Sequence, residues 1–168
     1  GQPQEHFRVW GNTPGTVPLP DEYEYIFKKT ALNDSNLQKL STELAQVGVI
    51  YGLELSSGRY SAEALVEMLT QPYLYDLRSL WLSGTATTTD AVMTALARLV
   101  PNLKELNPGS KCYVTDDGVA ALRDLLRLKR LSLSSCQKIT NRGMASLRGV
   151  DTLEELSLSH VLGIGDDG

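Results

Sequence analysis

Few side chains in this 168-residue chain have the chemistry to act on a substrate or to hold a metal. There are 2 histidines, His6 and His160, and 2 cysteines, Cys112 and Cys136. A nucleophile needs a base, and the base needs a group to orient it. Serines abound beside the leucines, but His160 is the only histidine near them, and no Cys/His pair or paired carboxylates fall on one predicted surface. The sequence therefore predicts no catalysis. A four-ligand metal site is equally short of donors, and no cofactor is expected. Gly163-Ile164-Gly165-Asp166-Asp167-Gly168 spells the Gly-x-Gly-x-x-Gly string of dinucleotide sites, yet the sequence holds no acid about 20 positions later to grip a ribose.

What the chain has instead is a period. Leu-x-x-Leu-x-Leu occurs at Leu128/Leu131/Leu133 and again, 25 residues on (153 − 128), at Leu153/Leu156/Leu158. The same frame one unit earlier holds Leu103, Leu106 and Pro108, with Val114-Thr115-Asp116-Asp117-Gly118 above Ile139-Thr140-Asn141-Arg142-Gly143. One unit later it holds Ile164-Gly165-Asp166-Asp167-Gly168, which accounts for glycines of the dinucleotide-like string. Ile50/Leu53/Leu55 and Leu77/Leu80/Leu82 open the earlier units, in steps of 27 (80 − 53) and 26 (106 − 80). A fixed period in the twenties means a strand, a turn and a helix per unit, each burying its leucines against its neighbours.

The wording Ser135-Cys136-Gln137-Lys138-Ile139-Thr140-Asn141 resembles the cysteine-containing subclass of leucine-rich repeats, whose pattern is Cys-x-x-Ile-Thr-Asp/Asn-x-Gly. The resemblance covers residues 50 to 168. It implies an α/β fold, a leucine-rich repeat solenoid forming a horseshoe segment, with a parallel β-sheet on the concave face and helices on the convex face. It also implies binding of other proteins. In that pattern Cys136 is a buried structural thiol; Lys111 takes the equivalent slot with Cys112 beside it, so a bridge between Cys112 and Cys136 is the alternative.

Residues 1 to 48 read as an irregular lead-in and a helical cap, because Pro3, Pro14, Pro18 and Pro20 forbid a long helix. Tyr23, Tyr25 and Phe27 alternate as a first strand, and Asp34 or Ser35 is expected to cap a helix carrying Leu37, Leu40 and Leu44. Residues 49 to 168 hold about five repeats, the last incomplete, with helices at 62–69, 89–99, 117–126 and 142–147. Pro108 cannot donate a ladder hydrogen bond, so its strand should be short there. The sequence ends where the next helix would begin, so the rung of Leu153, Leu156 and Leu158 is expected to be covered by further repeats or another subunit.

If the leucines point inward, the residue between the last two of each rung points out from the sheet. Those residues are Glu54, Trp81, Asn107, Ser132 and Ser157, flanked by Arg78, Lys104, Lys129 and Arg130 on one side and by serines and His160 on the other. The candidate partner-binding set is Glu54, Arg78, Trp81, Lys104, Asn107, Arg130, Ser132, Ser157 and His160. Trp81 is the kind of residue that dominates an interface once buried by a partner. A non-catalytic protein-protein interaction module is the expectation. The alternative is a ubiquitin-ligase substrate receptor, since Leu19-Pro20-Asp21-Glu22 followed by Ile26-Phe27 resembles the opening of an F-box.

Composition narrows the partners. A net charge of −4 repels a polyphosphate, so nucleic acid is not expected. No apolar run approaches the roughly 18 residues of a membrane span, so no membrane insertion is expected. Two cysteines fit a reducing compartment, which points to an intracellular location, cytoplasmic or organelle interior.

Overall fold

The computed structural model describes residues 26–30, 32–56, 58–82, 88–109 and 112–165. Strands and helices alternate: β1 (Ile26–Thr30), α1 (Asp34–Leu44), β2 (Gly52–Ser56), α2 (Ala62–Leu69), β3 (Ser79–Trp81), α3 (Asp90–Leu99), β4 (Glu105–Asn107), α4 (Asp116–Ala121), β5 (Arg130–Ser132), α5 (Asn141–Leu147) and β6 (Glu155–Ser157). Short 3-10 turns follow α2 at Pro72–Leu74 and α4 at Leu122–Asp124. All strands are parallel and lie side by side in chain order. A parallel neighbour cannot be reached by a tight turn, so each strand is followed by a helix that carries the chain back.

Register is set by the leucines. Phe27, Leu53 and Leu80 are direct partners, and Leu80, Leu106, Leu131 and Leu156 continue the same column. Leu53, Leu80, Leu106 and Leu131 are buried. A slip of one residue would turn that column out to water, at roughly 2–3 kcal/mol per leucine, so only this pairing survives. Helices pack on helices in the same order, α1 on α2 through to α5. Leu65, Met68, Val92, Met93, Leu96, Val119 and Leu122 join the leucines of the strands in one core.

A second set of bonds extends the ladder beyond the strands. The carbonyl of Tyr51 accepts from the N–H groups of Arg78 and Ser79, that of Arg78 from Lys104 and Glu105, that of Lys104 from Lys129 and Arg130, and that of Lys129 from Glu154 and Glu155. Tyr51, Arg78, Lys104, Lys129 and Glu154 therefore stack in one column along the edge where the chain runs into each strand.

Several expectations are adjusted. The first helix is capped by Asn33, whose Oδ1 accepts from Asn36 N–H at 2.9 Å, and not by Asp34 or Ser35. That leaves Asp34 free to serve the next unit. The helix expected to reach 126 gives way to a 3-10 turn after Ala121, which brings Leu122 and Leu125 into the core while Leu126 stays exposed. β4 ends at Asn107, immediately before Pro108, as the missing N–H requires. Tyr23 and Tyr25 lie outside the described residues; Phe27 is half-buried in β1. No helix among the described residues is long and apolar enough to cross a membrane.

The cysteine expectation is corrected. Cys112 and Cys136 are not separate thiols but a disulfide, with Cα atoms 5.4 Å apart. The turn after β4 and the turn after β5 stand on adjacent units, which brings both sulfurs into the core side by side. Lys111 lies outside the described residues.

Candidate functional site

A shallow depression of about 290 Å³ opens on the sheet face over β3 to β6. Trp81, Asn107, Ser132 and Ser157 line it along one column, and Glu105, Arg130 and Glu155 along the next. Two-residue alternation puts both columns on the same face, away from Leu80, Leu106, Leu131 and Leu156. The sheet thus turns a pattern of x positions in the sequence into a floor of polar side chains and the Trp81 indole, with Leu106, Leu131 and Leu156 also bordering it.

The floor is knitted together across strands. Ser79 Oγ donates to Glu105 Oε2 at 3.3 Å, and Arg130 Nη2 approaches the same oxygen at 3.3 Å. Ser132 Oγ donates to Ser134 Oγ at 3.3 Å, and Ser134 Oγ and Ser157 Oγ share a hydrogen bond of 2.9 Å. Asn107 Oδ1 accepts from Gly109 N–H at 3.0 Å. At the rim, Arg78 stacks over the Tyr51 ring at 4.5 Å, and Lys129 Nζ meets Glu154 Oε1 at 2.6 Å. The hydrogen bond and charge of Lys129 hold the Glu154 carboxyl below the usual carboxylate range.

Of the residues singled out in the sequence, Trp81, Asn107, Arg130, Ser132 and Ser157 come together in the depression. Trp81 is half-exposed and in register between Glu54 and Asn107. Arg78 and Lys104 stand half-buried at the rim. Glu54 corrects the expectation of an open position: it is 7% exposed, and its Oε1 accepts from Ser56 Oγ at 2.8 Å. His160 is exposed but sits in the turn after β6 with a φ of 61°, the same left-handed position held by Ser135 after β5. The Leu19–Glu22 stretch lies outside the described residues.

Sequence reasoning missed Glu105 and Glu155. Counting back two from Asn107 and Ser157 would have found them. It also missed a ladder of Asp and Asn side chains at the helix starts. Asp34 Oδ1 accepts from Ser61 N–H at 2.6 Å; Asp90 accepts from both N–H and Oγ1 of Thr115 at 2.7 Å; Asp116 accepts from N–H and Oγ1 of Thr140 at 2.7 and 2.6 Å; Asn141 Oδ1 accepts from Gly165 N–H at 2.9 Å. The three aspartates thus fasten the N-cap residues Ser61, Thr115 and Thr140 of the helices that follow, and Asn141 reaches the backbone one unit on in the same way. The signal was the recurrence of Thr-Asp or Thr-Asn at residues 89, 115 and 140. α2 begins instead with Ala62, whose side chain accepts nothing, and a cleft of about 380 Å³ lined by Ala62, Glu63, Val66, Glu67, Ala91 and Val92 opens between α2 and α3.

Two glycines of the dinucleotide-like string serve this packing too; the third, Gly168, lies outside the described residues. Gly163 lies against the Ile139 carbonyl, where a Cβ would collide, and Gly165 supplies the N–H for Asn141. Comparison of the sequence with protein-family models and with curated proteins finds no match to either.

Proposed function

We propose that the chain is a leucine-rich repeat solenoid of the cysteine-containing kind. It acts as a non-catalytic protein-protein interaction module, binding a partner protein through the open sheet face as a subunit of a larger assembly. The observation that carries this reading is the composition of the depression over β3 to β6: one half-exposed indole, an amide, hydroxyls and charges of both signs on a shallow floor. Aromatic and arginine anchors surrounded by small polar groups are what interfaces use. The continuous leucine column and the repeated cap-to-cap bonds support the solenoid, because each unit leaves its own apolar side to be covered by the next.

The same reading assigns no nucleic-acid role, since a chain of net charge −4 gains nothing from counterion release. Among intracellular locations, an organelle interior that keeps the Cys112–Cys136 bridge oxidised fits best.

Affinity purification of the full chain from its native cells, repeated with Trp81→Ala, tests the reading. A partner should be recovered in fixed proportion, and the substitution should weaken it on the order of tenfold or more, as for other interface tryptophans. Because Trp81 is half-exposed, the urea midpoint and circular dichroism should change little. A partner held equally by Trp81→Ala and by Ser157→Arg, which fills the depression, would overturn it.

A further inference from the structure

The charges along the sheet face and its rim are almost all answered from within the chain. Glu54 accepts from Ser56, Arg78 lies over Tyr51, Lys129 pairs with Glu154, and Arg130 pairs with Glu105. Lys104 and Glu155 are the exceptions: neither side chain makes a hydrogen bond or ion pair among the described residues. Lys104 is in addition stacked between Arg78 and Lys129 in the edge column, so its nearest neighbours along that column repel it. Glu155 lines the depression beside Arg130, whose guanidinium is turned to Glu105.

We infer that the partner engages this face with a polypeptide segment laid across the strands, setting an acidic side chain on Lys104 and a basic one on Glu155. The inference rests on the proposed function and adds the partner's charge pattern. Lys104 runs into β4 and Glu155 lies in β6, two strand spacings of about 4.8 Å apart, which is roughly 10 Å. An extended polyproline-like segment returns to the same face after three residues and about 9 Å. The acid and the base are therefore three or four positions apart in the partner. Groups already paired inside the chain would have to break a bond to join; these two do not. Their opposite signs also fix which way the segment lies, because reversing it sets like charges together.

A displayed library of random peptides, selected on the full chain, tests this. The enriched peptides should share an acid and a base three or four positions apart. Lys104→Glu and Glu155→Lys, both at solvent-accessible positions, should each weaken those peptides on the order of tenfold. Reselection on Lys104→Glu should exchange the acid for a base. Peptides without the pair, peptides that bind both variants as tightly as the parent, or no enrichment at all would overturn the inference. If such peptides ignore both charge swaps but are lost with Trp81→Ala, the sheet face stands as the binding surface and only the ionic pattern falls. Peptides indifferent to all three substitutions would remove the proposed function as well.

Discussion

Asp116 reaches from the first turn of α4 to Thr140 of the following unit and takes both of its donors, the N–H at 2.7 Å and Oγ1 at 2.6 Å. The carboxylate is 8% exposed, and Arg142 Nε adds a third contact at 3.3 Å. Burial pushes the Asp116 pKa up, but the Thr140 hydroxyl and N–H, the Arg142 charge and the Gly143 N–H together outweigh it and hold the carboxyl below its ordinary value. Asp116→Ala strands the Thr140 N–H and should cost about 1.5–3 kcal/mol, the range for hydrogen bonds to a charged group. Urea unfolding at neutral pH measures it.

The same lowered pKa fixes the sign of a pH effect. A carboxyl whose folded pKa lies below its unfolded value of about 3.9 stabilises fully above that value. The contribution is lost as pH falls through the lowered folded pKa. The stability gap between the parent and Asp116→Asn should therefore be constant from pH 7 to pH 5 and close under more acid conditions. A gap that widens on acidification would contradict the assignment.

The aspartate ladder needs room, and glycine supplies it. A Cβ on Gly118 would collide with Asp90 Oδ1 and meet Val114 Cγ1 at 2.9 Å; one on Gly143 would stand 2.6 Å from Asp116 Oδ1 and 3.1 Å from Ile139 Cγ2. Gly118→Ala and Gly143→Ala should each destabilise by about 1–3 kcal/mol, the cost of overpacking, despite the better helix propensity of alanine. Gly165→Ala, with nothing within 4 Å, is the control and should change the urea midpoint little.

These relationships explain which parts of the molecule were legible beforehand. The leucine frame predicts the parallel partners because apolar residues at fixed spacing have only one way to be buried together, and the Leu53–Leu80–Leu106–Leu131 column is that solution, with Leu156 in register at its end but still exposed. The open floor was half legible: Trp81, Asn107, Ser132 and Ser157 follow from the frame, whereas Glu105 and Glu155 need the alternation carried one step further back. Glu54 was misplaced because register tells which way a side chain points and not what lies over it. A polar residue beginning a helix reads in the sequence as a local cap, and only the fold shows Asp90 and Asp116 serving Thr115 and Thr140 of the following unit, 25 and 24 residues on.

His160 and Ser135 hold positions where a glycine belongs. Their φ values of 61° and 63° lie in the left-handed region, which Gly109 also enters, at 93°, one position earlier in the turn after β4. A side chain there costs roughly 1–2 kcal/mol, partly offset by the greater freedom glycine loses on folding. Ser135→Gly and His160→Gly should therefore stabilise by roughly 0.5–1 kcal/mol, and Gly109→Ala should destabilise by at least as much. Thermal unfolding of the three variants checks the set.

The Cys112–Cys136 bridge closes a loop of 24 residues containing all of α4 and β5. Cross-linking positions that far apart removes freedom from the unfolded chain worth roughly 3 kcal/mol, and both sulfurs are buried, so the folded state should also shield the bond from reductant. Mass spectrometry after alkylation in denaturant without reductant should show no labelled cysteine; after reduction in denaturant it should show both. Cys112→Ser with Cys136→Ser should lower the urea midpoint while leaving the leucine column assembled, because the bridge acts on the unfolded chain more than on the packed one. Labelling of both cysteines without prior reduction would mean that the core packs two thiols side by side, and the case for an oxidising compartment would go with the bond.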